Sequence, residues 1–195
     1  MEILAIFYAI YMAMLYILLL VFCVIGYILC GKGMSAIARR RGIEKPWLAW
    51  VPVGNMWLLG CISDQYRYLA YGQQTNRRRT LLILSIVTTA CSVPLSVMSA
   101  MMSAMTQADP TAESVLIMSL VVLVFACVVL AVAVVQSVMQ FMAYYDLFRS
   151  CDPGKSLMYL LVSLFVTFPL PFFVYGCRDK DLGLPPRTQE EPIVE

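Results

Sequence analysis

The sequence predicts an all-α integral membrane protein, a helical bundle of about four transmembrane helices joined by a tryptophan-rich interfacial or re-entrant element. Three observations predict it. Of 195 residues, 61% are hydrophobic and 13% charged, against about 45–50% apolar and about 25% charged in soluble domains. Four long runs contain no Asp, Glu, Lys or Arg, and the basic residues gather in one connector. A chain of this composition in water would expose more apolar surface than any core could absorb.

The first run, Ile3–Cys30, has 28 residues and no basic residue before it. It exceeds the length of a secretory h-region, so it is expected to stay as a span, with residues 1–30 as the first helix. The second is expected over 80–108, the third over 114–145 and the fourth over 156–177, each at or above the roughly 20 residues that cross a bilayer core. The 80–177 region is therefore read as three membrane helices, followed by a polar tail, 178–195. In the second, Ser96, Ala100 and Ala104 recur at one-turn spacing and suit close helix approach. In the third, Gln136 and Gln140 share a face and suit an interhelical hydrogen bond.

Between the first two spans lies a basic connector, 31–79. Its segment 46–63 is uncharged but interrupted by Pro46, Pro52, Gly54 and Gly60. A helix through Pro52 would lose a backbone hydrogen bond, which is costly in lipid. All three tryptophans, Trp47, Trp50 and Trp57, fall here, and tryptophan favours the membrane–water boundary. The segment is read as interfacial or re-entrant, with Asn55 capping its break. Ahead of it, Met34, Ile37 and Ala38 share a helical face and Gly42 stands where a helix would end.

Charge placement sets the orientation. The connector holds nine basic residues, the 146–155 loop holds Arg149 and Lys155, and the 107–113 loop holds none. Four crossings with the connector inside leave only Arg178, Lys180 and Arg187 outside, so the positive-inside bias predicts an extracytoplasmic N-terminus and a cytoplasmic 31–79. Pro169 and Pro171 keep a re-entrant hairpin open for the last run, in which case the tail returns inside.

Arg39, Arg40, Arg41, Arg77, Arg78 and Arg79 are read as membrane-surface cations facing anionic lipid, not as a nucleic-acid interface. Asp64 and Arg67, with Trp47, Trp50, Asn55 and Trp57, form a candidate platform for a ligand or partner at the cytoplasmic mouth. The plainer reading makes Ser63 or Asp64 a helix N-cap with interfacial tyrosines behind it. Asp146 and Arg149 are expected to form a surface ion pair, and Asp152-Pro153 to open the last helix.

The strings Pro46-Trp-Leu-Ala-Trp-Val-Pro52, Gly54-Asn-Met-Trp-Leu-Leu-Gly60 and Ile62-Ser-Asp-Gln-Tyr66, with Tyr145-Asp-Leu-Phe-Arg-Ser-Cys-Asp-Pro153, resemble a family of uncharacterised small multipass membrane proteins of Gram-positive bacteria. The resemblance implies a bacterial plasma membrane and carries no activity.

There is no histidine, which excludes Ser-His and Cys-His pairs, the HExxH zinc site and His-ligated haem. The seven cysteines stand singly, with no zinc-like pair. Cys61, near Asp64 and Arg67, is the best-placed candidate nucleophile. No cofactor or metal is expected, and the chain is not expected to be an enzyme. It reads as a non-enzymatic accessory or regulatory subunit with a cytoplasmic lipid- or partner-binding platform. Its partners would be the bilayer and a membrane protein or a second copy of itself. The alternative is a small transporter or channel component for a neutral or small solute, because proton and ion relays leave ionisable groups inside spans.

Overall fold

A computed structural model describes residues 2–107, 112–165 and 169–184. These residues are helical throughout apart from turns: α1 is Glu2–Arg40, α2 Pro52–Tyr71, α3 Arg77–Gln107, α4 Ala112–Cys151, α5 Ser156–Phe165 and α6 Leu170–Gly176, with a 3-10 turn at Pro46–Trp50. Three stretches are long and apolar enough to cross a membrane: Ile6–Arg40, Arg77–Ala104 and Val115–Cys151. Their apolar side chains are left almost wholly uncovered by protein, Phe7, Tyr16, Leu116 and Leu130 among them. Lipid is the solvent in which such a surface is stable.

The chain divides into two compact units, one of residues 1–51 with 148–195 and one of residues 52–147.

In the first unit, the last turns of α1 carry the packing. Met34, Ile37 and Ala38 are fully buried, as their shared face predicts. Gly33 lets α6 lie against α1, since a Cβ there would fall 2.9 Å from the Val174 carbonyl oxygen. Gly42, at φ 67°, closes α1 in the left-handed region, and the Ile43 amide donates to the Ala38 carbonyl at 3.0 Å. That is the expected glycine stop.

The expected span over 156–177 is not one helix. Tyr159 and Phe173 stack at 4.7 Å, whereas one continuous helix would hold residues so spaced about 21 Å apart. Beyond α6 the chain comes back to where it left α4: the Leu182 amide donates to Cys151 O at 3.1 Å and the Gly183 amide to Ser150 O at 3.0 Å. These bonds satisfy carbonyls that a helix C-terminus leaves open. Tyr159 of α5, stacked on Phe173 of α6, also meets Phe148 edge-on at 5.6 Å, so aromatic packing ties the two short helices to the end of α4. Asp152-Pro153 forms a turn before α5 rather than its cap, and Asp152 pairs with Lys180 at 3.5 Å.

In the second unit, α2 packs along α3. Gly60 sits against the start of α3, where a Cβ would lie 2.4 Å from Arg78 Cα. Leu58, Leu59, Ile62 and Tyr66 of α2 are buried. The interruption of 46–63 falls at Val51–Pro52, between the 3-10 turn and α2, of which Pro52 is the first residue; Gly54 and Gly60 lie inside α2 and do not break it. The missing N–H of Pro52 is one that a helix start leaves unpaired anyway, so 52–63 runs unbroken into a 20-residue helix. Along α3 the hydroxyls of Ser92, Ser96, Ser99 and Ser103 donate to carbonyls of their own helix. Gln136 of α4 accepts from Thr88 of α3, the interhelical bond expected of it.

Candidate functional site

Each unit builds one polar centre. In the second unit the centre is the Asp146 carboxylate, on the last turns of α4 and 3% exposed. One oxygen, Oδ2, accepts from Ser63 Oγ at 2.7 Å, Arg67 Nε at 2.9 Å and Arg77 Nη1 at 2.9 Å. Arg67 and Arg77 come from α2 and α3, so a single carboxylate joins three helices. Where the sequence offers Arg149 as the partner of Asp146, the second unit supplies two guanidiniums from other helices, a well-shielded, charge-assisted set of donors.

Asp64 lies one residue from Ser63 and does different work. Its Oδ1 accepts from Thr75 Oγ1 at 2.6 Å and the Arg77 amide at 3.0 Å, and its Oδ2 from the Arg78 amide at 3.1 Å. It is an N-cap, but for α3 and from within α2. The carboxylate satisfies amides that the start of α3 leaves open and sits at the positive end of its dipole.

Cys61 is one turn from this cap. Burial pushes its thiol up to about 12 from an ordinary 9.0, with Asp64 adding to the rise and Arg78 opposing it. A thiol protonated at neutral pH is a poor nucleophile. Since the folded state holds this proton more tightly than the unfolded chain, stability is full below pH 9 and falls as pH rises from 9 toward 12. Wild type is thus expected to lose more stability than Cys61→Ala over that window in thermal melts, and Cys61 to resist alkylation at pH 7.5 until the protein is denatured.

In the first unit the centre is Arg41, the residue after α1. Its side chain is 1% exposed and reaches Asp181 at 2.9 Å, Ser150 Oγ at 2.8 Å and Cys151 Sγ at 3.5 Å. Arg40 reaches the other Asp181 oxygen at 2.7 Å. Cys151 and Cys177 are both buried, and the Cys151 sulfur lies 3.9 Å from Ser150 Oγ.

The residues proposed as one platform divide between the units. Trp47 is exposed. Trp50 packs its ring on Gly31, and its carbonyl accepts from Tyr27 Oη. Asn55 and Trp57 are half-buried on α2, where Asp64 and Arg67 are already engaged in the cap and the Asp146 cluster. Of the six membrane-surface arginines, Arg39, Arg40 and Arg79 are exposed. Arg41 and Arg77 instead turn inward, each a buried guanidinium that requires a partner, and pair with the half-buried Asp181 and the buried Asp146. The sequence reading missed Asp146 and Asp181 as organising acids. For Asp146 a signal existed: it is the first charged residue after a long uncharged run, and an acid at the end of a span seeks a cation from a neighbouring helix.

Among the described residues no group of three Cys, Asp or Glu is placed to hold a metal ion. The two centres are ion-pair clamps at helix ends. Comparison of the chain with protein-family models, curated proteins and solved structures finds no match in any of the three.

Proposed function

We propose that the protein is a multipass plasma-membrane protein with three crossings, α1, α3 and α4, and a re-entrant α5–α6 segment. Its N-terminus is extracytoplasmic, and its cytoplasmic side acts as a non-enzymatic accessory or regulatory platform for lipid or a membrane partner. The observation that carries this reading is the return of Leu182 and Gly183 to the end of α4. With the tail brought back, all 14 basic residues fall on one side of the membrane, a stronger positive-inside bias than four crossings give. The resemblance to small multipass proteins of Gram-positive bacteria fits the same location. The spans themselves offer no charged residue between Ile6 and Cys30, Thr80 and Ala104, or Val115 and Tyr145, which weighs against an ion or proton transporter.

Single-cysteine probes on a cysteine-free background test the topology. An impermeant maleimide added to intact cells is expected to label Ala108→Cys and to spare Gln74→Cys and Gln189→Cys. Labelling of Gln74→Cys from outside would overturn the orientation, and labelling of Gln189→Cys would restore four crossings. Substrate-dependent flux in proteoliposomes would replace the platform reading with a transporter.

A further inference from the structure

Within the first unit a cavity of about 440 Å³ opens beside the end of α1, lined by Lys32, Ser35, Arg39, Arg40, Trp50 and Asp179. Lys32, Ser35 and Arg39 follow one another at three- and four-residue steps, so one stripe of α1 forms a wall. The cavity's charges do not cancel internally. Arg40 is held by Asp181 at 2.7 Å, and Asp179, the one carboxylate on the wall, faces Arg178 at 2.9 Å. Lys32 and Arg39 make no ion pair among the described residues. The Ser35 hydroxyl, in a residue only 6% exposed, likewise makes no hydrogen bond among them.

An open concavity with an ammonium, a guanidinium and a spare hydroxyl beside an indole has the donor set of a phosphate site. Its volume falls in the range of small-molecule sites, about 300–1,000 Å³. Lys32 stands two residues beyond the uncharged run that ends at Cys30, about 3 Å along the helix axis. That is the depth at which α1 leaves hydrocarbon for headgroups. We propose that this cavity binds a phosphate-bearing anion, presented as the headgroup of an anionic phospholipid. The proposal rests on the membrane-platform reading for the source of the ligand, and on the cavity alone for its chemistry.

The test titrates the purified full chain, in neutral detergent, with short-chain phosphatidylglycerol, phosphatidylcholine and inorganic phosphate. Native mass spectrometry counts bound ligand, and thermal melts report the fold. Phosphatidylglycerol is expected to bind at least tenfold more tightly than phosphatidylcholine. The double variant Lys32→Gln, Arg39→Gln is expected to lose about tenfold or more of that affinity, while Arg79→Gln, an exposed cation at the start of α3, retains it. Both altered side chains are exposed; if the pair nonetheless lowers the melting temperature, Lys32→Gln alone supplies the comparison. Displacement of the lipid by equimolar inorganic phosphate would keep the anion site but make free phosphate its ligand. Equal binding of the two lipids, or full affinity in the charge-depleted variants, would overturn the site. Binding in detergent does not depend on sidedness, so a failed topology and a failed cavity give separate results.

Discussion

Replacing Asp146 with alanine is expected to destabilise the second unit by about 3–5 kcal/mol, the usual cost of removing one member of a buried charge cluster. The loss comes less from the missing carboxylate than from what it leaves behind. Arg77 is 11% exposed and Arg67 28%, and each guanidinium would lose its ion-pair partner among the described residues. Asp146→Asn retains an acceptor for Ser63 but no charge, and should fall between alanine and wild type. Combining Asp146→Leu with Arg67→Met and Arg77→Leu should recover most of the stability, because the penalty lies in unpaired charge rather than lost packing. Thermal melts in detergent, read by size-exclusion profile, check the series. Equal melting of Asp146→Ala and wild type would show that the cluster is solvated and idle.

Gly60→Ala is expected to cost about 3 kcal/mol by overpacking. The added methyl would sit 2.4 Å from Arg78 Cα and 2.7 Å from Arg78 N. Both are backbone atoms, so no rotamer change relieves the clash, and α2 must shift away from α3. The shift would also strain the Asp64 cap, which reaches the Arg77 and Arg78 amides. Gly176→Ala is the matched control. Nothing lies within 4 Å of its Cβ position, and alanine is the better helix former by about 1 kcal/mol. It should melt at or above wild type; a similar loss at both positions would show that the cost at Gly60 does not come from the contact with Arg78.

Much of this fold was legible because membrane helices announce themselves locally. The apolar runs beginning at Ile3 and Ser114 lie inside α1 and α4, and the run beginning at Thr80 lies in α3 as far as Gln107; the Met34–Ile37–Ala38 face and the Gly42 stop needed only helical periodicity. What stayed hidden was long-range. Length and lack of charge are common to a span and to a hairpin that returns, so 156–177 could be divided only by where Leu182 and Gly183 bond. Pro52 reads as a break or as a helix start depending on what precedes it. Asp64 looked like a cap for its own helix, yet its target amides begin 13 residues later. Asp146 was paired with Arg149 because that neighbour is visible in sequence, whereas Arg67 and Arg77 stand more than 65 residues upstream. The candidate platform shows the same limit: Trp47 and Trp50 belong to the first unit and Asn55, Trp57, Asp64 and Arg67 to the second, because nearness along the chain does not assign residues to a unit.

The bond between Arg41 and Asp181 has a consequence for the order in which the molecule can be made. The two residues are 140 apart, and a ribosome adds about 5–20 residues each second. For roughly 7–28 s after Arg41 is polymerised its carboxylate partner does not yet exist. Ser150 and Cys151, two more of its contacts, arrive only shortly before. Throughout that interval the guanidinium must remain hydrated or held at the lipid surface, since burying it alone would be prohibitive. The first unit therefore closes late, when the returning tail delivers Asp181 to an arginine that has been waiting at the end of the first helix since early in synthesis.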